Sequence, residues 1–469
     1  MSRLLSTTFL TALLTSSSLA TPTPVDKTPA KVLQARQDSK ITDSSQLAAA
    51  ISSFPADLAS IAAGISVGEA ILTNIVPAPG PSSIPQLASE FSQIISPENP
   101  ANIFESGAKI LLNGFAGADY LNLLNSYLLA SNTNNINLLP PAKPIYPKAS
   151  AADAPYSLSE TDLRKAIYIP PGFTYGRTVP PVLFLPGTAA LAGQNFGPNY
   201  GKLLKDRKVG DPVYVNIPNE NLGDIQLAAE YAAYAVNYIS GISGGRNVST
   251  ISWSAGSLDG QWALKYWPSN RQHLSNAIRI SPDHHGTILA QLLCPGFETP
   301  GCTPAIAQQN YNSTFIATLR NNGGDSAYVP TTNIYSIFDE IVEPQQDPNA
   351  SGALNDIRGV GVSNVELQEI CTAALPGGTP NNDHEGVLYN ALAYALAIDA
   401  LTHPNSPGKV ERVDAQAECA KFAVDGLSLA DVLATHALIP LAVGNVLAFQ
   451  PKVAQEPPIR GYARKDIPG

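Results

Sequence analysis

The chain has 469 residues and a formal net charge of −10 at pH 7. This acidic balance argues against a nucleic-acid-binding protein, which needs a basic face to neutralise phosphates. Hydrophobic residues make up 44% of the sequence, so the chain can form a large core and is not disordered as a whole. It also lacks the heptads of a coiled coil and the glycine repeat of collagen. These properties predict a weakly acidic globular protein.

The first residues have the pattern of a secretory signal peptide. Arg3 supplies a positive start, and Leu4–Leu14 is mostly apolar but too short to span a bilayer. The following Ser18-Leu19-Ala20 has the small-x-small pattern of a signal-peptidase site. We predict a signal peptide over residues 1–20, a leader or propeptide-like segment over 21–39, and secretion of the mature protein. The alternative is a buried N-terminal helix.

Residues 40–131 have the hydrophobic spacing of a helical region. Apolar side chains recur at intervals of four and three, as at Leu47, Ile51 and Phe54. Further amphipathic segments follow at Gln86–Ile95, Ile103–Leu112 and Tyr120–Leu129. The region contains no histidine or cysteine, so it lacks the usual general base and soft metal ligands. We predict a cap or pro-region rather than a catalytic domain. The alternative is a bundle that only stabilises the fold or assists secretion.

An Asn- and Pro-rich stretch, residues 132–154, is predicted to be a linker. Beyond it, over residues 155–469, short β-rich runs alternate with helical ones. The predicted strands are Val182–Leu185, Val213–Ile217, Val248–Trp253, Ala277–Ile280 and Thr332–Tyr335, and the predicted helices between them include Ile225–Tyr238 and Gly256–Trp267. This alternation predicts an α/β fold with a mostly parallel central sheet covered on both faces. The active site of such a sheet lies at the carboxyl ends of its strands.

A serine stands at one such strand end. Ser254 lies between an apolar strand and a helix, with small residues, Ser252 and Gly256, two positions before and after it. A nucleophile elbow requires small residues there because the strand and helix backbones approach closely at the sharp turn. The usual first glycine is replaced by Ser252, so the five-residue match alone is weak, and an ordinary strand-turn-helix is the alternative. Ala255 follows the serine, and its backbone N–H is suitably placed to stabilise an oxyanion.

A second strand breaks into a Pro-Gly loop that could supply the other oxyanion donors. Val182–Leu185 is followed by Pro186, Gly187 and Thr188, and Thr188 offers both a backbone N–H and a hydroxyl. An ordinary Pro-Gly turn is the alternative when this loop is considered alone.

A serine nucleophile needs a base, and the base needs an acid that fixes its tautomer. Six histidines are present, and His384 is the one in a loop ahead of an apolar helix, as expected after a last strand. Asp339 directly follows a predicted strand. Ser254, Asp339 and His384 then occur in the chain order that an α/β-hydrolase requires. Together they predict a catalytic triad.

At these residues the chain resembles Candida antarctica lipase B and its fungal relatives. The matching stretches are Leu185–Thr188, Trp253–Gly256, Pro282–Thr287, Pro330–Ser336, Asp339–Gln345, Asp383-His384 and Tyr462–Arg464. The resemblance runs from about Tyr156 to the end of the chain. It implies an α/β-hydrolase fold and a serine esterase that acts on lipid esters. The helical segment from about 40 to 150 has no equivalent in that lipase.

The resemblance also implies roles for individual residues. It assigns Ser254 as nucleophile, Asp339 as acid and His384 as base, with Thr188 and Ala255 forming the oxyanion hole. The predicted substrate-binding residues are Trp253, Asp283, Ile341, Val342, Leu441, Ala442 and Val446. The last three lie on a long apolar helix, predicted over Leu427–Leu447 and interrupted at Pro440, that lines the entrance. The polar residues within this helix argue against a membrane span.

Four cysteines in a secreted chain suggest two disulfides, for which three pairings exist. Cys294 and Cys302 suit a small closed loop, which leaves Cys371 and Cys419, the pair that matches a disulfide of the resembled family. A zinc site is the alternative, but no CxxC motif or nearby histidine supports it. Three N-x-S/T sequons predict glycosylation at Asn247, Asn312 and Asn349.

The sequence therefore predicts a secreted lipase-type serine carboxylester hydrolase that needs no cofactor and no metal. Its predicted partner is a lipid or ester substrate, including one at an oil–water interface, with no nucleic acid and no transmembrane anchor. The alternatives are an acyltransferase or a non-lipolytic esterase with the same triad, or a non-catalytic hydrolase-like binding protein.

Overall fold

The computed structural model describes residues 40–52, 70–91, 93–94, 103–116, 127, 129–290 and 301–469. The predicted signal peptide and leader, residues 1–39, lie outside this part of the chain, as does Cys294. The predicted helix Tyr120–Leu129 also lies almost wholly outside it.

A seven-stranded sheet forms the centre of the hydrolase region. Its strands are β1 (Ile167–Tyr168), β2 (Pro181–Leu185), β3 (Asp211–Val215), β4 (Val248–Trp253), β5 (Leu274–Ile280), β6 (Thr331–Tyr335) and β7 (Val362–Glu366). The strand order is β1-β3-β2-β4-β5-β6-β7, with β1 antiparallel to β3 and all other pairs parallel. The prediction of an α/β fold with a mostly parallel sheet is confirmed. Strand β7 was not predicted, because its sequence, VSNVE, is largely polar.

The α-helices surround the sheet and extend N-terminal to it. They are α1 (Ser44–Ser52), α2 (Ile84–Phe91), α3 (Ile103–Leu112), α4 (Glu160–Lys165), α5 (Ala192–Phe196), α6 (Lys202–Arg207), α7 (Ile225–Ile242), α8 (Gly256–Tyr266), α9 (Pro304–Gln309), α10 (Thr314–Arg320), α11 (Leu367–Ile370), α12 (Ala391–Thr402), α13 (Ala415–Cys419), α14 (Leu429–His436) and α15 (Leu438–Ala448).

Strand β2 shows how the sheet is buried on both faces. Val182 and Phe184 belong to one hydrophobic core, whereas Leu183 and Leu185 belong to another, as the two-residue period of a strand requires. Helices α7 and α8 cover the second core, and α12, α14 and α15 cover the first. A strand that is apolar on both sides is typical of a parallel sheet between two helical layers.

The N-terminal helices pack against the hydrolase region through α15. Gly107 of α3 lies so close to that helix that a Cβ added to it would stand 3.0 Å from Val443 Cγ2 and 3.2 Å from Pro440 Cα. Phe91 of α2 is fully buried, and its ring centroid lies 4.2 Å from that of His436 in α14. The described part of this region therefore shares a core with the hydrolase helices.

Residues 132–154 contain no helix or strand, yet hydrogen bonds fasten them along the hydrolase region. The backbone N–H of Asn135 donates to Lys165 O (3.0 Å), and the hydroxyl of Tyr238 donates to Leu139 O (2.7 Å). Near the end of the stretch, the N–H of Ala154 donates to Tyr266 O (2.9 Å). The predicted linker is thus an ordered strap.

The long apolar helix predicted near the C-terminus is broken at Ala437 into α14 and α15. Pro440 lies in the first turn of α15 and has no N–H to donate to the preceding turn, so the break precedes the proline. By length and composition Leu429–Ala448 could cross a membrane, but 72% of its apolar 18-residue stretch is buried inside the protein. Helices α14 and α15 are therefore core helices in this fold.

The cysteines and sequons occupy the expected kinds of position. Cys371 and Cys419 are bonded across 48 residues, which confirms that pairing, and Cys302 is also disulfide-bonded. The predicted partner of Cys302, Cys294, lies outside the described residues. All three sequon asparagines are exposed: Asn247, Asn312 and Asn349.

Candidate active site

Ser254 occupies a sharp turn between β4 and α8. Its φ of 52° lies in the left-handed region, and the residue is buried. Gly256 allows this turn, because a Cβ at that position would lie 2.5 Å from Leu185 O and 2.7 Å from Pro186 O. The backbone N–H of Ser254 donates to Ile280 O at 3.0 Å, so the neighbouring strand β5 holds the turn. This is the geometry of a nucleophile elbow.

His384 and Asp339 meet although 45 residues separate them in the chain. Nδ1 of His384 lies 2.8 Å from Oδ2 of Asp339, and both side chains are buried. The other carboxylate oxygen of Asp339 accepts the backbone N–H groups of Ile341 (3.0 Å) and Val342 (2.7 Å). Asp339 is therefore fixed as a carboxylate acceptor. It selects the His384 tautomer that leaves Nε2 as the basic atom.

The backbone of His384 is held as firmly as its side chain. Its carbonyl oxygen accepts Trp253 Nε1–H at 3.1 Å and the Ser281 hydroxyl at 2.9 Å. Its N–H donates to Glu340 Oε2 at 3.1 Å. The Trp253 ring also lies against the imidazole, with centroids 5.0 Å apart. Trp253, predicted as a substrate-binding residue, thus positions His384 in this structure.

Opposing effects act on the pKa of His384. Burial disfavours the imidazolium, but the charge and hydrogen bond of Asp339, together with the charges of Glu340 and Asp283, outweigh burial, so the pKa of His384 is raised above its ordinary value of 6.5. A raised pKa is the shift expected of a general base that must accept a proton during the reaction.

The loop after β2 brings Thr188 toward the elbow. A Cβ added at Gly187 would lie 3.2 Å from Ser254 Cβ, which shows how close the loop is. The N–H of Gly187 donates to Asn195 Oδ1 (2.9 Å), whereas the hydroxyl of Thr188 donates to Gln309 Oε1 (3.0 Å). The Thr188 hydroxyl can serve an oxyanion only by turning away from Gln309.

Asp283 lies beneath the elbow after β5. The Ser257 hydroxyl lies 2.7 Å from Ser254 O and 3.0 Å from Asp283 Oδ1, but a hydroxyl has one proton. When that proton goes to the nearer Ser254 carbonyl, the contact with Asp283 is completed by a proton on Asp283. Burial raises the pKa of Asp283 to about 7, in agreement with a protonated carboxyl group.

The predicted entrance helix, α15, reaches the same edge of the sheet. Asn445 Nδ2 donates to Ala189 O at 2.9 Å, which ties α15 to the residue after Thr188. The predicted apolar wall is buried throughout and comprises Ile341, Val342, Leu441, Ala442 and Val446. Contact of these residues with substrate stays a prediction.

Several residues at the site carry no motif and were not found from sequence. Gln309 Oε1 accepts the hydrogen bond of the Thr188 hydroxyl, and Asn195 Oδ1 accepts that of the Gly187 N–H. Glu340 Oε2 accepts the backbone N–H of His384, and Glu385 Oε1 lies 3.0 Å from His436 Nδ1. A signal existed for the two glutamates, because each directly follows a predicted triad member.

Two groups of three carboxyl side chains have oxygens within 4.8 Å of one another among the described residues. One group is buried, namely Glu340, Asp383 and Glu385, and the other is largely exposed, namely Asp347, Glu366 and Glu369. Oxygen clusters suit hard cations by donor type. The exposed group has in addition a Tyr335 hydroxyl that donates to Asp347 Oδ1 at 2.7 Å.

Known proteins were compared with the chain in three ways. No protein-family model matches it. Lipase B of Pseudozyma antarctica is 31% identical over 286 residues, which are 61% of this chain and 79% of that protein. The crystal structure of Aspergillus fumigatus lipase B has 44% sequence identity and a TM-score of 0.80, and the match covers 89% of this chain and all of that one.

The second match extends beyond the hydrolase region. Residues 155–469 are about two thirds of the chain, so coverage of 89% includes much of the N-terminal helical region. The α/β-hydrolase fold is confirmed by this match and by the sheet order. On these relationships the chain belongs to the lipase B family and is a lipase-type hydrolase.

Proposed function

We propose that the protein is a secreted serine carboxylester hydrolase that cleaves acylglycerols or related lipid esters through an acyl-serine intermediate. Ser254 is the nucleophile, His384 the general base and Asp339 the residue that orients it. The observation that carries the proposal is the buried Asp339–His384 hydrogen bond at 2.8 Å, formed at the strand edge where Ser254 occupies its elbow.

In the first step, His384 Nε2 takes the proton of Ser254 Oγ as the oxygen attacks the ester carbonyl. The new C–O bond moves an electron pair onto the carbonyl oxygen, and the N–H of Ala255 and the Thr188 donors stabilise that oxyanion. His384 then gives its proton to the departing alcohol, and the acyl group remains on Ser254.

In the second step, water replaces the alcohol. His384 takes a proton from water, the hydroxide oxygen attacks the acyl carbonyl, and the fatty acid leaves as Ser254 regains its proton. Asp339 stabilises the imidazolium in both steps while it stays ionised. The buried environment strengthens each of these electrostatic interactions.

The relatives named lipase B support lipid esters as the substrate class. The apolar residues predicted to form the wall of the site fit acyl chains, which need an apolar surface to leave water. Secretion is supported by the signal-peptide pattern, the Cys371–Cys419 disulfide and three exposed sequons. Because the described helices α2 and α3 share a core with the hydrolase region, we further propose that these two helices form a fixed cover on α14 and α15.

The test is covalent labelling by a fluorophosphonate followed by peptide mapping. The wild type is expected to incorporate one probe on Ser254 and to hydrolyse nitrophenyl esters, and Ser254→Ala is expected to lose both properties while it keeps its circular dichroism spectrum. A substitution at Gln309 is not a suitable control, because Gln309 Oε1 accepts the hydrogen bond of the Thr188 hydroxyl. Ser269→Ala, a buried serine in the helical turn just before β5 and therefore at the opposite edge of the parallel sheet from the elbow, is the matched serine variant and should be labelled normally. Absence of labelling on wild-type Ser254 would contradict the proposed function.

A further inference from the structure

A group of buried titratable side chains lies directly behind His384. The carboxyl groups of Glu340, Asp383 and Glu385 are within 4.8 Å of one another and are buried. Among the described residues, the only basic side chain within ion-pair distance of any of the three is His436, 3.0 Å from Glu385. Three ionised carboxylates in so dry a place would repel one another strongly. Protons must therefore be distributed within this buried carboxyl cluster.

The hydrogen bonds locate one of these protons. The Tyr389 hydroxyl lies 2.8 Å from Asn381 O, and since a carbonyl only accepts, Tyr389 donates there. His436 Nε2, 3.2 Å from the Tyr389 oxygen, must then donate to it. Burial lowers the pKa of His436 to about 3, so the ring is neutral and Nδ1 is an acceptor. The Glu385–Nδ1 contact therefore requires a proton on Glu385.

Glu340 is the member of the cluster that touches the candidate active site. Its Oε2 accepts the N–H of His384, while its chain neighbour Asp339 accepts the side chain of the same histidine. One loop thus fixes both the backbone and the imidazole of His384. A shift of this loop by a fraction of an ångström would move the base relative to Ser254, and such displacements are costly for the reaction rate.

The N-terminal region closes the far side of the cluster. The Phe91 ring lies against His436, and Phe115 packs edge-on against Phe91 with centroids 5.2 Å apart. Both phenylalanines are buried. This apolar lid over His436 excludes water, which favours the protonated form of the carboxyl groups beneath it.

We propose that Glu340 is a positioning residue for His384, held in place by the proton-bearing cluster of Asp383, Glu385 and His436. The proposal rests on the proposed function, since it assigns His384 as the base. Glu340 acts on His384 in two ways, through the hydrogen bond to the backbone of the histidine and through its charge near the imidazole. The titratable groups that act electrostatically on it are Asp339, Glu343, Asp383, His384 and Glu385, and His436 contacts the cluster through Glu385.

The experiment compares Glu340→Ala with Glu340→Gln, because the glutamine amide oxygen can still accept the His384 N–H. The matched control is Glu230→Ala, which removes another buried glutamate, on α7, whose Oε2 accepts two backbone N–H groups on the opposite face of the sheet from α14 and α15. Active sites are counted by fluorophosphonate titration, so rates refer to folded enzyme. Per titrated site, Glu340→Ala is expected to lower kcat for nitrophenyl butyrate about 10- to 100-fold with KM changed less than about twofold.

Glu340→Gln is expected to recover most of that loss. It should also move the acid limb of kcat/KM to lower pH, because the Glu340 charge contributes to the raised pKa of His384. Glu230→Ala should change neither quantity. The proposal is overturned if Glu340→Ala matches Glu230→Ala per titrated site, or, should Glu340→Ala not fold, if Glu340→Gln leaves the pH limb in place. Failure of wild-type labelling at Ser254 would instead overturn the proposed function.

Discussion

Replacing Asp283 with asparagine should make the protein progressively more stable than the wild type as pH rises. The folded state raises the pKa of this carboxyl group from 3.8 to about 7, mainly through burial. A raised pKa in the folded state means that the stability linked to this group is fully present below pH 3.8. That stability is lost as pH rises toward 7, because the folded protein must then ionise a buried group. Asparagine at position 283 has no carboxyl group that ionises in this pH range.

The size of the effect follows from the shift. At about 1.4 kcal/mol per pKa unit, a rise from 3.8 to about 7 corresponds to about 4 kcal/mol. The free energy of unfolding of Asp283→Asn, relative to the wild type, should therefore increase by about 4 kcal/mol between pH 4 and pH 8. The asparagine Nδ2 can still donate to Ser257, so the pH-independent part of the difference should be no more than about 1 kcal/mol. Only the pH-dependent part of the difference in the free energy of unfolding tests whether Asp283 is protonated in the folded state.

Urea unfolding at pH 4, 5, 6, 7 and 8, monitored by tryptophan fluorescence, measures this difference in the free energy of unfolding. The chain has three tryptophans, all buried in the hydrolase core: Trp253, Trp262 and Trp267. Asp399→Asn is the control of opposite sign. Burial acts to raise the pKa of Asp399, but hydrogen bonds from Arg412 outweigh it and lower the pKa. That variant should be less stable than the wild type by a nearly constant amount from pH 5 to pH 8, and the difference should shrink only in added measurements below pH 3.8. A pH-independent difference for Asp283→Asn would refute the assignment of a buried proton.

Four further outcomes are expected. The acid limb of kcat/KM should have its midpoint above pH 6.5, because the pKa of His384 is raised by the carboxylate bonded to it, and a midpoint below 6 would contradict this. Gly256→Ala should lower kcat at least about tenfold in ester assays, since its methyl group would lie 2.5 Å from a backbone oxygen. Replacing Cys371 and Cys419 with serine should cost about 4 kcal/mol in urea unfolding, from the 48-residue separation. Gly107→Leu should loosen α3 and increase protease cleavage there, because a side chain has no room against α15.

Much of the sheet could be predicted because its strands are short apolar runs bounded by turn residues. Val248–Trp253 was predicted with both ends correct, and Ile103–Leu112 was predicted equally well as a helix from its 3.6-residue spacing. The elbow at Ser254 followed from a local rule, that small residues must flank a sharp strand-to-helix turn. Local sequence carries all of these signals.

Other features depend on contacts that no local pattern records. The sequence of β7 is largely polar, and the segment forms a strand because it pairs in parallel with β6. The composition of residues 132–154 is typical of a flexible linker, but this strap is fastened by side chains such as Asn216, whose Nδ2 donates to Asn132 O at 3.1 Å. Glu385 and His436 are 51 residues apart, and their protonation depends on burial as well as on residue type.

The acidic groups around His384 raise its pKa, but too large a rise would prevent it from acting as a base. A base with a greatly raised pKa would already hold its proton at neutral pH and could not accept one from Ser254. Asp283, Glu340, Asp383 and Glu385 all lie near enough to influence the site, and burial raises the pKa of each. When Asp283, Asp383 and Glu385 keep their protons, the charges that His384 faces are those of the carboxylate bonded to its imidazole and of Glu340, whose pKa is raised to about 7. Burial thus supplies a firm hydrogen-bonded frame for the histidine while it limits the charge that would otherwise disable it as a base.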